Sequence, residues 1–116
     1  MDHSFKIRII ISKGERKMFN VAKKSEGSNV TLVLSGRLDT STAPELEVKV
    51  KASTEGTENL VFDFTELEYI SSAGLRVLLS TLKTMNNQGS MKIINVNETV
   101  MEIFELTGFS DILTIE

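Results

Sequence analysis

The chain reads as a single α/β domain with a mixed β-sheet and helices packed against it, and three observations predict this. Strand-like apolar runs alternate with helix-period segments in the order β-β-α-β-α-β-α. The most apolar strands are separated by helical stretches, which is the connection that parallel pairing requires. The chain has 116 residues, 41% hydrophobic and 25% charged, which gives room for one core.

Residues 1–17 (MDHSFKIRIIISKGERK) alternate at Phe5, Ile7, Ile9 and Ile11 and predict an added strand or arm. Lys13-Gly14-Glu15-Arg16-Lys17 directly before Met18 also resembles a purine-rich ribosome-binding site read through in frame. On that reading the natural start is Met18. The division is therefore an N-terminal extension, 1–17, and a domain, 18–116. Residues 19–24 and 29–35 predict two strands joined as a hairpin through Glu26-Gly27-Ser28. The second of these, around Val30-Thr31-Leu32-Val33-Leu34, is apolar enough to be expected buried on both faces.

Thr42-Ala43-Pro44-Glu45 predicts a helix start, with Thr42 as cap, Glu45 reciprocating and Pro44 in the first turn. That helix runs to about residue 54, with Leu46 and Val50 on one face and a Glu47/Lys51 pair on its flank. Residues 60–64 predict a third strand, followed by a short polar link to Tyr69-Ile70. Leu75, Leu78, Leu79, Leu82 and Met85 form one apolar stripe at helical spacing, ending where Asn86 and Gly89 suit a C-terminal turn. Residues 91–96 predict a fourth strand. Asn97 is placed to cap a last helix over 98–107, with Val100, Ile103, Phe104 and Thr107 on one face and Gly108 closing it. Residues 112–115 predict a short final strand.

Composition excludes several functions. Without cysteine there is no disulfide framework, thiolate nucleophile or Cys-based zinc site. Apolar runs are far shorter than a membrane-spanning helix needs and no signal-peptide pattern is present, so a cytoplasmic protein without membrane association is expected. Residues 1–24 hold seven Lys/Arg against two Asp/Glu, and the remainder holds 6 against 14. Such an acidic body disfavours nucleic acid and favours a basic protein partner. Ile70 stands where a nucleophile elbow needs glycine before Ser72, and the single histidine is His3, so no hydrolase triad can be assembled. A phosphate-binding Gly-x-x-x-x-Gly-Lys-Ser/Thr loop is missing, and Asp39 with Asp63 is too small a set for a magnesium site. Neither intrinsic catalysis nor a cofactor is expected.

One segment does carry chemistry. Tyr69-Ile70-Ser71-Ser72-Ala73-Gly74-Leu75 places two hydroxyls where a strand-end loop enters the best helix of the chain. The first amides of a helix have no intrahelical acceptor and its dipole puts partial positive charge there, so the position tolerates a phosphate. Ala73 and Gly74 keep the turn small and leave the Ser72 hydroxyl approachable. The alternative is that Ser71 or Ser72 is simply a helix cap. Asp39 has a similar pair of readings, as a partner-contacting residue or as the anchor of an Asx-turn. Arg76, one turn into the helix, is expected to be exposed.

The stretch Leu67-Glu68-Tyr69-Ile70-Ser71-Ser72-Ala73-Gly74-Leu75-Arg76-Val77-Leu78-Leu79 resembles the phosphorylation segment of the STAS-domain anti-sigma factor antagonists. Leu34-Ser35-Gly36-Arg37-Leu38-Asp39 resembles their strand followed by Gly-x-Leu-Asp, and Phe104-Glu105-Leu106-Thr107-Gly108-Phe109 resembles their closing helix and turn. The resemblance implies a partner-switching protein. Unmodified, it would bind an anti-sigma factor serine kinase, a histidine-kinase-like ATPase; phosphorylation would end the complex and a PP2C-type phosphatase would reset it. It places the phosphoserine on Ser72 and the partner surface on Asp39, Ser71, Ser72, Ala73, Gly74 and Arg76. The family usually has aspartate before the phosphoserine. Ser71 stands there in this chain and is the alternative acceptor. The competing function is an unphosphorylated STAS module that binds a ligand or a transport complex. A monomer is expected for the free domain, because no long apolar stripe is left over.

Overall fold

The computed structural model describes residues 18–116; the strand or arm expected over 1–17, and the run before Met18 that suggested a later start, lie outside the described residues. The elements are β1 (Asn20–Glu26), β2 (Asn29–Leu38), α1 (Ala43–Thr54), β3 (Asn59–Ile70), α2 (Ser72–Asn86), β4 (Ser90–Ile94) and α3 (Glu98–Thr107), followed by a 3-10 turn (Phe109–Asp111). This is the β-β-α-β-α-β-α order read from the sequence. The strands form one sheet in the order β1-β2-β3-β4. β1 and β2 pair antiparallel as a hairpin with Glu26 opposite Asn29, while β2/β3 and β3/β4 are parallel across helical crossovers.

The helices gather on one face of the sheet. Leu32 and Leu34 of β2, Leu60, Phe62 and Phe64 of β3, and Ile93 of β4 are fully buried in the same cluster as Leu46 of α1, Leu78 and Met85 of α2, and Val100 and Phe104 of α3. Phe64 lies between Phe62 and Phe104, each ring centroid 6.3 Å from its own. Each such side chain contributes roughly 1.5–3 kcal/mol through burial. The opposite face, including Thr31, Val33, Val61 and Asp63, is only half-buried. Among the described residues the helices thus cover β2 on one face, not two, because each crossover returns its helix to the same side.

β3 is longer than expected. Residues 65–68, read as a polar link, continue the strand beside β2 through register shifts between Val33 and Ser35 and between Gly36 and Arg37. These bulges let Thr65, Glu66 and Glu68 face solvent while Leu67 and Ile70 stay buried. β4 ends at Ile94, earlier than expected. The expected final strand reduces to one bridge, in which Ile93 N–H donates to Thr114 O (2.9 Å) and Glu116 N–H to Ile93 O (2.8 Å).

Two helix starts settle differently. Asn97 caps α3 as expected, accepting from Val100 N–H at 2.8 Å, and Gly108 ends the helix in the left-handed region at φ 84°. The Thr42/Glu45 capping box does not form. Thr42 has φ −103° and ψ −16°, a helical rather than extended backbone, and its side chain makes no bond to the first turn of α1. Its hydroxyl instead donates to Arg37 O and accepts from Asp39 N–H, both at 2.8 Å. The Glu47/Lys51 pair is present at 3.7 Å.

Candidate partner-binding site at the start of α2

β2 and β3 finish side by side, with Leu38 opposite Ile70. The next backbone amide, that of Ser71, donates to Leu38 O at 2.8 Å. Asp39 and Ser72 each follow one partner of this hydrogen bond, so the loop after β2 and the start of α2 form one edge. Gly74 makes the approach possible. A Cβ there would stand 2.7 and 2.8 Å from Cγ and Cδ2 of Leu38 and 2.9 Å from Cγ1 of Ile70, closer than carbon atoms pack.

The two serines differ in what they present. Ser72 is the first helical residue and is exposed. Ser71 is the N-cap residue and its carbonyl accepts from Leu75 N–H at 2.9 Å. Its side chain, however, makes no bond to the first turn, and its Oγ is buried without a hydrogen-bond partner. The simple capping reading is therefore not realised by either hydroxyl. Ala73 is half-buried, Gly74 is buried, and Arg76 is exposed one turn further on.

Asp39 organises the neighbouring loop. Its Oδ1 accepts from Ser41 Oγ (2.8 Å), Ser41 N–H (3.0 Å) and Thr42 N–H (3.1 Å), the Asx-turn anticipated from its position. The Ser41 hydroxyl leads in holding its carboxyl below the usual range; desolvation opposes it, and the Thr42 and Ser41 amides and the Thr42 hydroxyl add to the lowering. An ionised carboxylate is thereby fixed beside the start of α2. One nearby pair escaped the sequence reading. The Arg37 guanidinium lies 4.3 Å over the Tyr69 ring, placed there because the parallel register sets Arg37 opposite Tyr69.

A groove of about 450 Å³, lined among others by Thr31, Asn59, Ser90, Lys92 and Glu116, lies at the amino-terminal ends of the parallel strands, the far end of the sheet from Ser72. Among the described residues no three His, Cys, Asp or Glu side chains gather as a metal site. No helix of the described residues is long and apolar enough to cross a membrane.

A sheet ordered this way, with an exposed serine opening the helix after its central strand, defines a STAS domain, and residues 20–116 match the family model of that description. The chain is 31% identical over 97 residues to the anti-sigma-B factor antagonist of Bacillus subtilis (strain 168), spanning 83% of this chain and 89% of that protein, and it belongs to the STAS-domain family of anti-sigma factor antagonists. Those relatives are binding proteins rather than enzymes. Among solved structures, an anti-sigma factor antagonist from Mycobacterium paratuberculosis superposes with a TM-score of 0.77 at 21% identity, over 84% of this chain and 85% of that one. The Bacillus cell fate determinant SpoIIAA in its phosphorylated form superposes with a TM-score of 0.65 at 17% identity, over 85% and 91%.

Proposed function

We propose that this protein is an anti-sigma factor antagonist that works as a phosphorylation-controlled binding switch in the cytoplasm. Unmodified, it binds an anti-sigma factor serine kinase of the histidine-kinase-like ATPase class through Asp39, the 71–74 turn and Arg76. The kinase moves the γ-phosphoryl group of ATP to Ser72 Oγ, the hydroxyl proton is lost and ADP leaves. The complex then parts, and a PP2C-type phosphatase restores the serine by hydrolysis. The relative named an anti-sigma-B factor antagonist and the phosphorylated form of SpoIIAA support this reading.

The observation that carries it is the contrast between the adjacent hydroxyls. Ser72 stands exposed at a helix N-terminus, whereas the Ser71 oxygen is buried, which favours Ser72 over Ser71 as the acceptor. A phosphate adds about −1.5 to −2 charge at pH 7. At the N-terminus of α2 that charge is compatible with the helix dipole, so the fold survives. Beside the fixed Asp39 carboxylate, the same charge deepens an acidic surface and repels carboxylates on a docked partner. The effect is on binding rather than folding.

The test is capture of partners from the native host by wild type, Ser72→Ala and Ser72→Glu, with phosphate mapped by mass spectrometry. Wild type and Ser72→Ala should retain a kinase-like ATPase, Ser72→Glu should bind it at least about tenfold more weakly, equivalent to about 1.4 kcal/mol, and the phosphate should sit on Ser72. Equal retention by all three, with no phosphate on Ser72, would defeat the proposal.

A further inference from the structure

Among the described residues, the buried side-chain oxygen without a hydrogen-bond partner is Ser71 Oγ, which keeps less than 1 Å² of accessible surface. A buried hydroxyl in this condition destabilises the state that holds it. The residue's backbone makes the condition stand out. Ser71 is the N-cap of α2 with φ −102° and ψ 177°, the extended geometry from which a cap serine usually reaches the amide of the second or third helical residue. It makes no such bond. Serine has three staggered rotamers, so a hydroxyl that makes no bond in one of them has others open to it.

Two unused capacities therefore sit together at the start of α2. One is the set of first-turn amides that the cap side chain leaves alone, and the other is a hydroxyl able both to donate and to accept. Ser72, the very next residue, is exposed.

We propose that Ser71 is a positioning residue for a phosphate on Ser72, its hydroxyl leaving the unpartnered rotamer to donate to a phosphate oxygen while that phosphate takes up the first-turn amides. This rests on the reading of Ser72 as the modified residue. The residue type matters at each step. Alanine offers no donor, and aspartate would be an acceptor only and would repel the phosphate. Threonine keeps the hydroxyl. A hydroxyl donor favours the dianionic phosphate over the monoanion, so its signature is a lowered second phosphate pKa.

The experiment uses the full chain with phosphoserine installed at position 72 during translation, so that no kinase is required, and titrates the phosphate by phosphorus NMR. Wild type should show a second phosphate pKa roughly half a unit below that of Ser71→Ala, about a threefold difference in proton affinity. Ser71→Thr should return to the wild-type value, and Ser71→Asp should exceed Ser71→Ala. Unmodified Ser71→Ala should melt at or above the wild-type temperature, because it loses only an unpartnered hydroxyl. Equal phosphate pKa values in wild type and Ser71→Ala would overturn the proposal, as would a lower melting temperature of unmodified Ser71→Ala. A host protein that never carries phosphate on Ser72 would defeat the functional reading instead, and would leave the pKa comparison standing.

Discussion

Asn97 and Ser71 occupy the same position at their helices on nearly the same extended backbone, with φ −81° and ψ 173° for Asn97 and φ −102° and ψ 177° for Ser71. Asn97 uses its side chain fully. Its oxygen accepts from Val100 N–H and its amide donates to Leu67 O at 2.7 Å, which ties α3 to the end of β3. Ser71 uses only its backbone, through the amide bonded to Leu38 O, and leaves its hydroxyl idle. At α3 the helix start is fastened by a side chain; at α2 it is fastened by backbone pairing and by the packing of Gly74. Position is secured without spending the side chains of Ser71 and Ser72.

The comparison breaks most severely at Gly74. Gly74→Val places carbon inside the space held by the fully buried Leu38 and the nearly fully buried Ile70, and neither core side chain has solvent to move into. A loss of about 3 kcal/mol in urea unfolding is expected from such overpacking. Since small domains hold only about 5–15 kcal/mol in all, a large share of the stability would go. A Gly74→Val protein as stable as wild type would show that α2 is not held by this contact.

Asn97→Ala sharpens the other half. Removing the cap should cost about 1 kcal/mol, and the Leu67 carbonyl loses its side-chain donor as well. The urea midpoint should fall with an unchanged slope. By contrast, Ser71→Ala in the unmodified protein should match wild type or exceed it by up to about 0.5 kcal/mol, as for sites without a committed interaction. Similar losses for the two variants would erase the distinction between a working cap and a reserved one.

What was legible in the sequence was local. The hairpin at Gly27, the α2 stripe, and the Asn97 and Gly108 ends of α3 depend on residues within a few positions of one another, and each formed where its chemistry placed it. What was illegible depended on register. The bulges that carry β3 on to Ile70 exist because polar Thr65, Glu66 and Glu68 had to face out while Leu67 stayed in, and only pairing with β2 shows that. Thr42 looked like a cap, but Arg37 O and Asp39 N–H recruited its hydroxyl. Within the candidate site, the segment Ser71-Ser72-Ala73-Gly74 was visible as a pattern. That Ser72 would be approachable was expected from the small residues after it; that the Ser71 oxygen is buried was not, because it depends on the end of β2 packing against the start of α2.

The smallest effects concern acid, and they fall on the loops beside the same two helices. Asp63, in β3, accepts a hydrogen bond from Asn95 in the loop that leads into α3. Partial burial pushes its carboxyl up, but Thr65 Oγ1 (2.6 Å), Thr65 N–H (3.0 Å) and Asn95 Nδ2 (3.1 Å) hold it below the ordinary value, with help from Lys24. Asp39 beside α2 is likewise lowered, by Ser41 first. A folded pKa below the unfolded one contributes stability that is present above the unfolded value of 3.8 and is lost as pH falls through the folded value. Both carboxylates should therefore steepen the loss of stability below about pH 4. Asp63→Asn should flatten that acid limb in thermal unfolding measured between neutral pH and about pH 3. Asp39→Asn should flatten it less, since solvent screens an open carboxylate more than a partly buried one. Acid limbs identical to wild type in both variants would mean that neither loop is held by its carboxylate. A larger effect at Asp39 would put the more committed loop beside α2, reversing the contrast between the two helix starts.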